Sequence, residues 1–168
     1  MRIAASLKPE LALVNIKAKE RLGTIDLLLD ALRDERRVQK EIALRDITAH
    51  ERTMIVRMRV GNHFVALPHA LTLACKQLLL AVATSPEGII WGDMPNERAN
   101  LIFMLIGPPQ AQGLYLRVLS RIARLCNTKG FVQRLLDTPE PSELINCLDA
   151  AESSLEEVAE ENDSPRFC

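Results

Sequence analysis

A chain of 168 residues, 48% hydrophobic and 26% charged, with seven glycines and nine prolines, is the size and composition of one ordinary globular domain. It is long enough to bury about two-thirds of the surface its unfolded form exposes. No apolar run reaches the roughly 20 residues needed to cross a bilayer, and the opening stretch breaks at Pro9 before a signal-peptide core develops, so the expected location is the cytoplasm, without membrane insertion. The formal charge of -1 hides an asymmetry: residues 152–168 hold six acidic residues and one basic one, net -5, against +4 in the rest. That mild positive balance, with 4% aromatics, lacks the dense basic stripe and stacking platforms of a nucleic-acid binder. Cys75, Cys126, Cys147 and Cys168 form no C-x-x-C pair, which argues for reduced thiols and against a metal site or redox motif. No cofactor motif is present.

In chain order, Leu22, Ile25, Leu28, Leu29 and Leu32 predict a helix over Lys17 to Leu32. A charged connector, residues 33–37, leads to a second helix with Val38, Ile42, Leu44 and Ile47 on its apolar face, ending near Arg52. Met54, Val56, Met58 and Val60 alternate with Arg57 and Arg59, then come Gly61-Asn62 and the run Phe64 to Pro68, a pattern of strands and a tight turn. Leu78 to Thr84 and Leu101 to Ile106 are continuous apolar runs, expected as buried strands stopped by Ser85-Pro-Glu-Gly88 and by Gly107-Pro-Pro109. Leu114 to Leu125, then Phe131 to Leu136, carry helical spacing, and Pro141-Ser142 opens a last helix. Helices, then strands, then helices predict an α/β layered sandwich with a central mixed β-sheet flanked by helices. The expected domain spans residues 1–151, followed by a solvated acidic C-terminal tail, 152–168, frayed from Asn162 onward.

The stretch Gly61-Asn-His-Phe-Val-Ala-Leu-Pro-His-Ala70 resembles the G-N-G-[IV]-A-[IV]-P-H motif around the phosphorylated histidine of EIIA domains of the fructose, mannitol and nitrogen-regulatory type in the bacterial phosphotransferase system. Further segments agree in order. Glu51-Arg52 stands where that family has an Arg-Glu dipeptide, Ser85 to Gly92 is similar to its P-x-G-[IV]-x-[WF]-G turn, and Ala99 to Leu105 resembles its D-L-I-F-L-L strand. Leu119-Ser-Arg-Ile-Ala-Arg-Leu125 is similar to its L-S-x-L-A-x-L helix, and Pro141 to Ile145 to its closing segment.

The resemblance implies that His69 accepts a phosphoryl group from the phosphocarrier HPr. Such a transfer needs a neutral imidazole lone pair, a hydrogen bond fixing the other ring nitrogen, and donors around the phosphoryl oxygens. Histidine, with an ordinary pKa of about 6.5, supplies the first at neutral pH. Arg52 is the expected phosphoryl clamp, since its planar fork suits phosphate oxygens; Asn62 in the turn is a further possible phosphate-stabilising donor. Family members that donate onward to a transporter carry a second histidine, and the aligned position here is Tyr115. His50 and His63 are read as ordinary structural histidines. Two functions stay open: a phosphocarrier of nitrogen-regulatory type, not fused to a transporter, or a degenerate EIIA-like protein-interaction module without phosphotransfer. The first would make the chain a phosphotransferase component; the second would not.

Overall fold

The structure, a computed structural model, describes residues 2–36, 38–53 and 56–163. Met54, with which the first strand was expected to open, and Cys168 lie outside the described residues. Among these residues, six strands form one mixed sheet: β1 (Ala12–Leu13), β2 (Arg57–Val60), β3 (His63–Ala66), β4 (His69–Leu71), β5 (Leu79–Ile90) and β6 (Arg98–Gly107). Five helices accompany them: α1 (Arg21–Arg36), α2 (Lys40–Thr53), α3 (Gln112–Cys126), α4 (Phe131–Leu136) and α5 (Pro141–Asp163). The sheet runs β1-β5-β6-β3-β2, with β4 paired to β6 beyond β3. β5 and β6 are antiparallel, whereas β1 on β5 and both β3 and β4 on β6 are parallel, so the sheet is mixed, as expected.

Every residue from Leu101 to Ile106 is buried. Successive strand side chains point to opposite faces, so both faces of β6 are covered; α3 and α4 pack against it, and α1 and α4 against β5. Two expectations change at this centre. The Ser85-Pro-Glu-Gly turn does not end its strand: β5 continues to Ile90 through a register shift between Thr84 and Ile89. A bulge tolerates a proline that a regular ladder would not, and Asn100 ties it down by donating from Nδ2 to the carbonyls of Ser85 and Pro86 at 3.3 and 3.1 Å. Gly88, at φ 79°, sits where a Cβ would come within 2.8 Å of Arg98 Cβ. The first helix starts four residues later than its periodicity suggests. Residues before it are held extended along β5, where the Ile16 amide donates to Thr84 O at 2.9 Å and Glu20 bridges to Ile90. The two-residue β1 carries no alternation long enough to detect in the sequence.

α1 absorbs most of the expected charged connector, running to Arg36, and Lys40 at the head of α2 closes the joint with Nζ 2.8 Å from Asp26 and 2.7 Å from Asp30. The 151/152 boundary falls inside α5, an unbroken helix to Asp163. Glu152, placed in the solvated tail by sequence reasoning, is fully buried. Its carboxylate accepts the Ile3 and Ala4 amides at 2.8 and 2.9 Å and Arg121 Nη1 at 2.9 Å. A short 3-10 turn, Ala4–Ser6, begins there, so the carboxylate fills its open amides and pins the N-terminal segment to α5. Cys75 and Cys126 are buried, and burial pushes their thiols up to about 11 and 12; Cys147 is half-buried.

Glu152→Ala leaves two buried amides without their acceptor and takes one of its two carboxylates from Arg121, and is expected to lower unfolding stability in urea by about 3 kcal/mol. Glu156→Ala, on the half-exposed partner of the same arginine, should cost under about 1 kcal/mol. Equal losses would show that the buried carboxylate holds nothing in particular.

Candidate functional site

The site begins with an interruption. β3 and β4 lie end to end along the same edge of β6, Val65 and Ala66 opposite Leu101 and Ile102, then His69 to Leu71 opposite Leu105 to Gly107. Between them stand Leu67 and Pro68. Proline has no N–H for the ladder, and only its carbonyl pairs, accepting from the Leu105 amide at 3.1 Å. The Leu67 amide donates to Val56 O at 3.1 Å, on the side away from β6, and the Leu67 carbonyl on that side accepts from a side chain. That side chain is His69: the ring Nδ1 lies 2.6 Å from Leu67 O. A carbonyl can only accept, so Nδ1 carries the proton and Nε2 holds the lone pair of the neutral ring.

His69 is 7% exposed. Burial pushes its pKa below the ordinary histidine value; the Leu67 carbonyl acts in the opposite sense, and His50 adds to the lowering. The neutral, nucleophilic ring is therefore the resident form at neutral pH. Nε2 faces a cavity of about 540 Å³ whose walls include His50 and Asp46 from α2, Leu71 from β4, and Tyr115, Leu116 and Leu119 from α3.

The residues expected beside His69 fare differently. Tyr115 is there: its ring centroid lies 5.8 Å from that of His69, tilted by 45°. It is buried, which pushes its hydroxyl up to about 12, so it offers a neutral O–H and no charge. Arg52 is not: it lies exposed in the last turn of α2 and makes no hydrogen bond or ion pair with His69. The residue that α2 does present is His50, with Nε2 3.2 Å from His69 Nε2 and ring centroids 4.6 Å apart, edge to face. Helical positions two apart point to nearly opposite sides. A helix that aims His50 at His69 therefore turns Arg52 away. Since Nε2 of His69 is the acceptor, His50 Nε2 carries the hydrogen between them. Asn62 is not brought to His69 either; it sits in the Gly61-Asn62 turn and lines a separate cavity of about 400 Å³ with His63, Lys129 and Gln133. His63 donates from Nε2 to Gln133 Oε1 at 2.8 Å, a surface contact of that turn.

Sequence reasoning passed over His50. Its one signal was position: immediately before Glu51-Arg52, and four residues after Asp46, which puts His50 and Asp46 on one helix face. Asp46 fastens that face to the residue that follows β4 by accepting the Thr72 hydroxyl at 2.6 Å. The next residue, Glu51, points inward. It is 2% exposed, and neither of its oxygens, nor Trp91 Nε1, has a hydrogen-bond partner among the described residues. Burial raises its pKa, with Arg21, the Trp91 indole and Arg57 pulling the other way. Among the described residues, no three His, Cys, Asp or Glu side chains gather to hold a metal ion, and no helix is long and apolar enough to cross a membrane.

The α/β fold is shared with solved proteins of the phosphotransferase system. The nitrogen regulatory protein IIA-Ntr of Neisseria meningitidis aligns with a TM-score of 0.73 at 23% identity, over 87% of this chain and 98% of that one. IIA mannitol of Escherichia coli aligns with a TM-score of 0.68 at 17% identity, over 84% and 98%; at such identities the likeness establishes the fold. Residues 5–151 match the model of the family described as phosphoenolpyruvate-dependent sugar phosphotransferase system, EIIA 2, and the chain belongs to that family. Curated relatives include the transcriptional regulator ManR of Bacillus subtilis, 28% identical over 141 residues, covering 84% of this chain and 21% of that protein. The fructose-specific EIIABC component of the same organism is 24% identical over 152 residues, 88% of this chain and 23% of its own length. The fructose-specific EIIA component of Haloferax volcanii is 30% identical over 116 residues, 68% and 73%. The chain thus spans under a quarter of the length of the first two.

Two titrations test this environment. The lowered His69 value means that, on acidification, the unfolded chain takes up this proton first. Its contribution to stability is full above about pH 6.5 and is lost as the pH falls from there through the folded value. Two-dimensional NMR of the imidazoles should find His69 titrating below free histidine, and an ordinary midpoint would contradict the buried neutral ring. Glu51 runs the other way: its contribution is present below the unfolded value near 4.5 and is lost as the pH rises through the raised folded value. Glu51→Gln should therefore raise stability at pH 7 by about 1 kcal/mol and give no gain at pH 4. A loss at pH 7 would mean that the carboxylate is paired and needed.

Proposed function

We propose that this chain is a phosphocarrier of the EIIA type that accepts a phosphoryl group on His69 Nε2 from phospho-HPr, and that its phosphorylation state regulates other proteins, as in nitrogen-regulatory members. The observation that carries the reading is the 2.6 Å contact between His69 Nδ1 and Leu67 O, which fixes the tautomer and leaves the lone pair on Nε2, beside His50 on the wall of the cavity. The transfer exchanges one N–P bond for another: the lone pair of His69 Nε2 attacks phosphorus, and the donor histidine nitrogen leaves with the electron pair of the breaking bond. No proton has to move. As the new bond forms, positive charge develops on the His69 ring, and the Leu67 carbonyl already accepting from Nδ1–H stabilises it.

The rim supports a protein rather than a small-molecule donor. Leu116, 54% exposed, and the half-buried Leu71 and Leu119 flank the histidine, and apolar side chains around a reactive nitrogen suit a partner surface. One neighbour structure is described as a complex of the enzyme IIA of mannitol transport with phosphorylated enzyme IIB from Escherichia coli; that the present chain meets an EIIB component or HPr is part of the proposal, as is a cytoplasmic location. The other reading, a protein-interaction module without phosphotransfer, has Tyr115 in its favour, a neutral hydroxyl at the position where the resemblance puts a second histidine.

Incubation with phosphoenolpyruvate, enzyme I and HPr separates the two. An acid-labile phosphate on the wild type and none on His69→Ala is the expected outcome. A wild type that stays unlabelled by a competent HPr leaves the interaction module.

A further inference from the structure

The phosphoryl group on His69 needs nitrogen or oxygen donors around it, and the donors that the sequence pointed to are elsewhere: Arg52 on the far side of α2 and Asn62 on another cavity. His50 is in place. Its Nε2–H lies 3.2 Å from the lone pair that must attack phosphorus, so in the resting protein it occupies the line along which the phosphoryl group has to arrive. The two nitrogens are too close for a phosphorus atom to stand between them. His50 must therefore yield when the group arrives, and it has room to do so, being half-buried on the wall of the 540 Å³ cavity. It cannot go far. Asp46, one turn earlier on the same face, is bonded to Thr72, which follows β4 directly and whose own amide donates to Gly107 O at 2.8 Å. The backbone carrying His50 is thus fixed to the strand that carries His69, and only the side chain rotates.

We propose that His50 is a catalytic residue of this chain: its Nε2–H caps the lone pair of His69 at rest and, on transfer, moves from that nitrogen to a phosphoryl oxygen. This rests on the phosphocarrier reading and adds a residue to it. In the exchange, His50 makes and breaks hydrogen bonds only; the N–P bond passes from the donor histidine to His69, and His50 keeps its proton. Tyr115, also on the cavity wall with its ring centroid 5.8 Å from that of His69, brings a hydroxyl and no nitrogen donor. The cap also predicts that the bare histidine is guarded, because a small electrophile has to displace a hydrogen bond before it meets the lone pair.

Phosphoramidate, a small phosphoryl donor that needs no partner protein, tests this on the whole chain beside phospho-HPr. The wild type should be labelled on His69 by either donor. His50→Ala should be labelled by phospho-HPr about 100-fold more slowly, the usual effect of removing one oxyanion donor, and should lose its phosphate faster. His50→Gln, which keeps an N–H of similar reach, should recover much of both. Circular dichroism melts confirm that the variants fold, and the wild type alone gives a second readout: ¹⁵N-edited imidazole spectra should show the His50 Nε2–H signal move when His69 is phosphorylated. Labelling and phosphate loss in His50→Ala equal to wild type, or a His50 signal unmoved by phosphorylation, overturns the role of His50 and leaves the carrier standing. A wild type unlabelled by both donors overturns the carrier reading and this one with it.

Discussion

The hydrogen bond from His69 Nδ1 to the Leu67 carbonyl organises the functional end of this molecule, because a buried imidazole has two nitrogens and its chemistry depends on which one holds the proton. The bond sits where the strand is broken. Two ladders meet there: Pro68 faces β6 and offers only a carbonyl, the Leu67 amide donates to Val56 on the other side, and the Leu67 carbonyl accepts from the ring. Pairing then resumes at His69 itself, so the backbone is held on both sides of the gap. The ring cannot spin to exchange its nitrogens without leaving a buried carbonyl unsatisfied.

Around that fixed ring, the fold brings two helices of different origin. α2 is locked to α1 by Lys40 between Asp26 and Asp30 and to β4 by Asp46 on Thr72; α3 follows β6 directly and carries Tyr115. The walls of the site are therefore set by tertiary contacts remote from it. Glu51 shows the cost of the arrangement. The turn of α2 that offers His50 to the cavity drives the next side chain into the interior, where its carboxylate lies without a hydrogen bond close to Trp91 and the arginines of α1 and β2. Nothing in the local packing requires a charge there.

Glu152 does the reverse, a buried carboxylate that accepts from two amides and a guanidinium. The contrast shows that an acidic residue's role cannot be read from local composition. Glu152 opens a run of glutamates that looks like a solvated tail, and its partners, Ile3, Ala4 and Arg121, are dispersed along the chain. The tail reading overlooked them because nothing within several residues of Glu152 marks it.

What the sequence determined was whatever depends on near neighbours. Periodicity located both N-terminal helices and the two central strands, apolar on both faces, and turn residues marked Gly61-Asn62; His69 was singled out only because the Gly61 to Ala70 stretch resembles the family's motif. Tyr115 was found at a position that the fold does bring to His69. Tertiary structure decided the rest. The bulge that lets β5 run on through Pro86 needs Asn100 from the neighbouring strand, and β1 is a strand only because β5 lies beside it. The choice between His50 and Arg52 turned on helix phase: two residues apart in sequence, they lie on opposite sides of α2, and only the docking of that helix against β4 says which one meets the histidine.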